Sequence, residues 1–167
     1  MNDIAQTLEQ EGILKKGDFI LRSGVHSSYY CDVKKALGNP TLLALLVDEL
    51  SRKISPETTV IAGSGYGGIA LATGVALKLS KPLTLVRDKI KDHGTKAPLE
   101  GHIPITSDRV SIIDDVITTG GSIRDTIEKI LPTGATVEGA IVVLSREELT
   151  LSIPVTALMK GGDLFSI

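Results

Sequence analysis

Tryptophan is missing from this chain of 167 residues, and all aromatic residues together make up 3% of it. Proteins that stack the bases of single-stranded nucleic acid need aromatic platforms, so that class is disfavoured. Cysteine occurs once, at Cys31, which rules out an intrachain disulfide and any zinc site built from cysteine clusters. Neither sign of charge dominates. The formal net charge is −2, so no global field points to nucleic acid or to a membrane surface. No apolar run is long enough to span a bilayer and no signal-peptide pattern is present, so cytoplasm is the default expectation. Internal repeats and low-complexity segments are absent too. What the chain does have is 42% hydrophobic residues over a length that suits one domain with a sizeable core.

One stretch organises the rest. Residues 109–125 read RVSIIDDVITTGGSIRD. Val110, Ile112 and Ile113 form a short β-branched run that reads as a buried strand. It ends at two adjacent carboxylates, Asp114 and Asp115, followed by Thr118, Thr119, Gly120, Gly121 and Ser122. Ile123, Ile127, Ile130 and Leu131 then recur at helical spacing. A loop that enters a helix N-terminus offers unpaired N–H groups and the positive end of the helix dipole, which suits a phosphate. Glycines let the backbone come close, and hydroxyls add donors. Carboxylates would repel that phosphate, so they make sense as a grip on another part of the same ligand, such as sugar hydroxyls. A ribose 5-phosphate carries both ends. The plainer reading has the carboxylates ending a strand, the glycines turning the chain and Ser122 capping the helix.

Taken in order, residues 3–11 read as a short amphipathic helix with Ile4 and Leu8 on one face and Gly12 as its stop. Residues 18–21 and 29–33 read as strands around the polar turn 23–27. Asn39 and Pro40 signal an N-cap followed by proline at the first helical position, and the helix they open is rich in leucine. From Thr58 onward strands and helices alternate: strand 59–62, loop 63–68, helix 69–79, strand 83–86, the central strand and helix, strand 136–144 and a last strand at 154–159. Residues 87–108 show no clear period. Repeated βαβ order predicts an α/β fold, a parallel sheet flanked by helices, with ligands at the carboxyl ends of the strands. The first 38 residues fall outside this rhythm and are expected to cap those ends. The expected organisation is one domain over 1–167, with a cap at 1–38 and a ligand-binding core at 58–148.

Two further stretches carry chemistry. Residues 63–68, GSGYGG, follow a strand and satisfy G-x-G-x-x-G, with Asp88 about 20 residues beyond, which is also the dinucleotide-binding fingerprint. That reading leaves residues 114–122 unexplained, whereas a diphosphate would use both glycine loops. Residues 87–101, RDKIKDHGTKAPLEG, form a loop rich in basic side chains. It is either a solvated surface or a lid that closes over phosphates and excludes water.

Residues 109–125 resemble, over their full length, the phosphoribosyl-diphosphate (PRPP) motif of the type I phosphoribosyltransferases. The resemblance implies that family's fold, a parallel sheet flanked by helices under a small N-terminal hood. It also implies Asp114 and Asp115 on the ribose 2′- and 3′-hydroxyls, and residues 118–122 around the 5-phosphate, with Val116 and Ile117 apolar between them. Tyr66 and Gly67 fall in its diphosphate loop. The order R-x-x-x-K-D-H-G from Arg87 is similar to the catalytic loop of orotate phosphoribosyltransferases, which implies diphosphate contacts from Arg87, Lys91 and His93. Two departures remove positive charge: Asp88 stands where many members have lysine after the arginine, and Gly67 where many bacterial members have lysine after the tyrosine. Lys89 is placed to compensate for the first. The N-terminal segment around Arg22 and Tyr30 resembles the family's orotate side, and Arg146 matches the arginine that pairs with the orotate carboxylate, a task suited to a planar, bidentate guanidinium. Thr118 would touch both substrates. The implied activity is transfer of the phosphoribosyl group from PRPP to orotate in pyrimidine biosynthesis. Mg²⁺ is held mainly by substrate and water, and the implied assembly is a homodimer in which loop 87–101 acts in its own subunit or its neighbour's. Open alternatives are transfer to another base, a non-catalytic PRPP sensor and a dinucleotide-dependent oxidoreductase.

Overall fold

A computed structural model describes residues 3–20, 26–88 and 97–164. Arg22, Lys89, Lys91 and His93 lie outside the described residues.

Two sheets form. The smaller pairs β1 (Leu14–Ile20) antiparallel with β2 (His26–Cys31), preceded by helix α1 (Asp3–Gln10). Strand β1 starts earlier than the hydrophobic pattern predicts, because Lys15 and Lys16 pair with Tyr30 and Tyr29 across the ladder. Backbone pairing needs no apolar side chain. Strand β2 ends at Cys31, and Val33, predicted as strand, instead opens the short helix α2 (Val33–Ala36).

Helix α3 (Pro40–Ser51) begins as the sequence dictates. Asn39 Oδ1 accepts from the N–H groups of Thr41 at 3.0 Å and Leu42 at 3.4 Å, and Pro40 occupies the first turn. A cap of this kind contributes about 1 kcal/mol.

The larger sheet has the order β5-β4-β3-β6-β7-β8. Its strands are β3 (Val60–Ser64), β4 (Leu83–Val86), β5 (Leu99–Gly101), β6 (Arg109–Ile117), β7 (Thr136–Ser145) and β8 (Val155–Lys160). All neighbours are parallel except β5, which runs antiparallel to β4 at the edge. Helix α4 (Gly65–Leu79) links β3 to β4, and α5 (Gly121–Ile130) links β6 to β7. Side chains alternate between the two faces as strand geometry requires. Ile61, Ile113 and Val143 join the core with α3 and α4, whereas Ala62, Ile112 and Val142 join the core with α5. The chain leaves β3 toward β4 and later returns to β6 on the other side of β3. The crevice at the carboxyl ends of β3 and β6 is therefore a topological switch point, the place where such sheets bind ligands. No helix among the described residues is long and apolar enough to cross a membrane.

Candidate active site

Strand β6 does not stop at the acidic pair but carries it. Asp114 and Asp115 are both in the strand, which continues to Ile117. Asp114 is only 6% exposed. Its Oδ1 accepts from the N–H of Asp115 at 2.8 Å and its Oδ2 from Ser122 Oγ at 2.9 Å. Burial, reinforced by the neighbouring Asp115 charge, pushes the Asp114 carboxyl up from its ordinary 3.8 to about 7. Ser122 is therefore not the helix cap. Gly120 holds that position with φ +79°, and the Ser122 hydroxyl ties the first turn of α5 to Asp114.

The loop after β3 is tighter than the sequence suggests. Residues 65–68 are not a free loop but the first turn of α4, with Gly65 at φ +64°. Gly63 fits because a Cβ there would stand 2.7 Å from Ala72 Cβ. A Cβ on Gly67 would stand 2.3 Å from Asp115 Oδ2, and one on Gly68 3.0 Å from Asp114 Oδ1. The two acidic side chains thus lie directly over the start of α4. Thr126 Oγ1 and Ser64 Oγ, both buried and 3.0 Å apart, tie α5 to the end of β3. Lys129 donates to the carbonyl of Arg87 at 2.6 Å and pairs with Asp125, fixing α5 against the end of β4.

Between these elements lies a cleft of about 470 Å³. It gathers Tyr66, Gly67, Asp114, Asp115, Val116, Gly121 and Ser122 of the residues expected from the sequence. It also holds Lys34, Ser64 and Asp125, which carried no expected role, and Asp88, the acidic residue of the dinucleotide fingerprint. Lys34 reaches in from α2, with Nζ 3.3 Å from Asp115 Oδ2, and the Asp115 charge raises its pKa. The N-terminus of α5 leaves N–H groups without intrahelical acceptors beside Gly121 and Ser122, a ready anion site.

Other expected residues stand elsewhere. Thr118 and Thr119 are exposed and do not line the cleft, and Ile117 is buried in the α5 core, its carbonyl accepting from the N–H of Arg146 at 3.0 Å. Arg87 pairs with Glu100, its Nε buried with no partner among the described residues. Tyr30 is 40% exposed and its ring packs against Phe19. Arg146 instead lies over the ring of Tyr29, 5.1 Å from its centroid. Alternation along β2 could have picked Tyr29, since it shares the buried face with Cys31. A separate cleft of about 820 Å³ opens around Arg146, Thr150 and Lys160 at the ends of β7 and β8, and none of its lining comes from the acidic pair. The carboxylates and the N-terminus of α5 meet in the smaller cleft.

The chain has many relatives. Residues 35–156 match the family described as phosphoribosyl transferase domain. The orotate phosphoribosyltransferase of Methanocaldococcus jannaschii is 40% identical over 84% of this chain and 80% of its own length. That of Pyrococcus abyssi is 40% identical over 87% of this chain and 81% of its own. The crystal structure of the orotate phosphoribosyltransferase from Aeropyrum pernix superposes with a TM-score of 0.80 at 31% identity, covering 96% of this chain and 95% of that one. A carboxylate pair over a glycine turn at the switch point, and relatives matched along most of their length, lead to one assignment: the chain belongs to the phosphoribosyltransferase family and, within it, to the orotate phosphoribosyltransferases.

Proposed function

We propose that this chain transfers the phosphoribosyl group of PRPP to orotate, giving orotidine 5′-monophosphate and diphosphate, as a step of pyrimidine biosynthesis. The observation that carries the proposal is the meeting of Asp114, Asp115 and the N-terminus of α5 around one cleft. Asp114 and Asp115 accept hydrogen bonds from the ribose hydroxyls. Gly121, Ser122 and the first N–H groups of α5 take the 5-phosphate within the cleft, and Thr118, Thr119 and Gly120 approach it from the same loop outside the lining. The start of α4, with Tyr66 and Gly67, faces the diphosphate. As the bond from C1 to the diphosphate oxygen breaks, positive charge develops on the ribose. The carboxylates of Asp88, Asp114, Asp115 and Asp125 all line the cleft and favour that charge. The orotate ring nitrogen, unusually acidic for an amide, forms the new bond to C1 as its N–H bond breaks, and the diphosphate leaves carrying that proton.

Among the described residues no three His, Cys, Asp or Glu side chains cluster as a metal cage. The carboxylate oxygens lining the cleft suit Mg²⁺ bound largely by substrate and water, with Asp88, Asp114, Asp115 and Asp125 as the protein donors within reach. Bound there, Mg²⁺ would offset the charge of the diphosphate. Arg87 serves the diphosphate once released from Glu100, together with Lys89, Lys91 and His93. Arg146 pairs with the orotate carboxylate, with Arg22, Tyr30 and Thr118 on the same substrate. On this reading residues 1–38 are the hood and 58–148 the PRPP-binding core, and the working unit is a homodimer in the cytoplasm.

The test follows the ultraviolet absorbance of orotate in the presence of Mg²⁺ and PRPP. PRPP-dependent loss of absorbance supports the proposal. No loss with orotate, but turnover with another base, would overturn the choice of acceptor.

A further inference from the structure

Resting on that function, we infer that Lys34 supplies, from the hood, the cation that the diphosphate loop lacks at position 67, and binds the diphosphate side of PRPP. Three observations carry this. First, no side chain fits at 67 while Asp115 holds its place. A Cβ there would stand 2.3 Å from Oδ2 and 2.4 Å from Cγ of that carboxylate. Glycine at 67 and the Asp115 orientation are thus one coupled choice. Second, Lys34 Nζ bonds the same oxygen, Oδ2, at 3.3 Å. Its ammonium therefore stands beside the space that a residue-67 side chain would have filled. Third, Lys34 is the lone cation lining a cleft that otherwise carries the carboxylates of Asp88, Asp114, Asp115 and Asp125 among the described residues. A diphosphate entering such a cleft needs positive charge, and an ammonium on a flexible stem provides a movable point charge.

Lys34 belongs to α2, and the acidic pair to the central strand of the larger sheet. One ligand held by both would therefore join the hood to the core. In the free protein the Lys34–Asp115 pair keeps the ammonium in the cleft. On binding, Asp115 turns its acceptors to the ribose and Lys34 passes to a phosphate oxygen.

The experiment compares wild type, Lys34→Met and Lys34→Arg as full chains. It measures the Kd of PRPP by calorimetry with Mg²⁺ at two salt concentrations, and KM for each substrate in the absorbance assay. Loss of one charge-assisted contact should weaken PRPP about tenfold to a hundredfold. The KM for orotate should stay within about twofold, since a surface change leaves the fold in place. Lys34→Arg should recover most of the affinity, and Lys34→Met should flatten the salt dependence. The Lys34 side chain is 59% exposed, so all three should melt alike. Unchanged PRPP affinity in Lys34→Met would overturn the inference and leave the proposed function standing. Equal weakening of both substrates would also overturn it, assigning Lys34 to hood placement. A wild type that binds PRPP without consuming orotate would overturn the proposed acceptor alone, and the Kd ratio would still decide Lys34.

Discussion

The two glycine-rich turns at the switch point look alike in sequence and differ in physics. After β3, Gly67 and Gly68 are glycine because the Asp115 and Asp114 carboxylates occupy the space their side chains would need. After β6, Gly120 is glycine because the backbone turns through φ +79°, and a Cβ on Gly121 would meet nothing nearer than Thr119 Oγ1 at 3.8 Å. The first turn is closed by the protein's own acids; the second is open for a ligand. Sequence motifs register both as flexible phosphate loops, but Gly121 of the second opens on free space, whereas Gly67 and Gly68 of the first are a seat for the acidic pair.

Substitution at the closed turn should have the largest effect. Gly67→Ala drives Asp115 from its place, and a displacement near 1 Å costs about a hundredfold in rate. Steady-state kinetics should show kcat/KM for PRPP falling by about that factor, with about 1–3 kcal/mol lost in denaturant unfolding from overpacking. Activity within threefold of wild type would break the comparison, because the turn would then be open after all.

Asp114 sharpens the comparison through pH. Acceptance of ribose hydroxyls uses the ionised carboxylate, so kcat/KM for PRPP should rise about tenfold per pH unit up to about pH 7 and then level. For stability the sign is opposite. Its folded pKa lies above the unfolded value, so the folded chain holds a proton that the unfolded chain has released between about pH 4 and 7. The burial of Asp114 thus costs stability progressively as pH rises through that window. Asp114→Asn should melt higher than wild type at pH 8, with a smaller gap at pH 5, while losing activity. Parallel melting curves across pH would contradict this cause.

The open turn should respond less. Gly120→Ala places a side chain in the left-handed region and meets Leu151 Cδ2 at 3.0 Å, so about 1–2 kcal/mol of stability should be lost. Gly121→Ala, in open space at a helix start, should change stability by no more than about 0.5 kcal/mol. Any rise in its KM for PRPP would then report contact with the ligand itself.

What the sequence revealed depended on how local each cause was. The Asn39–Pro40 cap, the strand with its acidic pair and the helix after it are set by neighbours in the chain, and all were legible. Strand β5 was not, since three residues at a sheet edge carry no period. The start of α4 was placed at residue 69 rather than Gly65 because glycine reads as a breaker, although here close packing overrides helix propensity. Lys34 was invisible because its partner lies 81 positions away. The packing of Arg146 over the Tyr29 ring was not legible either, because it joins the end of β7 to the buried face of β2, far away in the chain.

The most direct measurement of the central claim is a calorimetric titration of PRPP, with Mg²⁺, into wild type and Asp115→Asn at pH 8. Asparagine keeps the shape of the side chain and an oxygen to accept from Lys34, so the change should spare the fold. Tight binding by wild type and binding weakened at least tenfold in the variant are the expected result. Equal binding by the two proteins would contradict the assignment of the acidic pair to the ribose, and with it the placement of PRPP in this cleft.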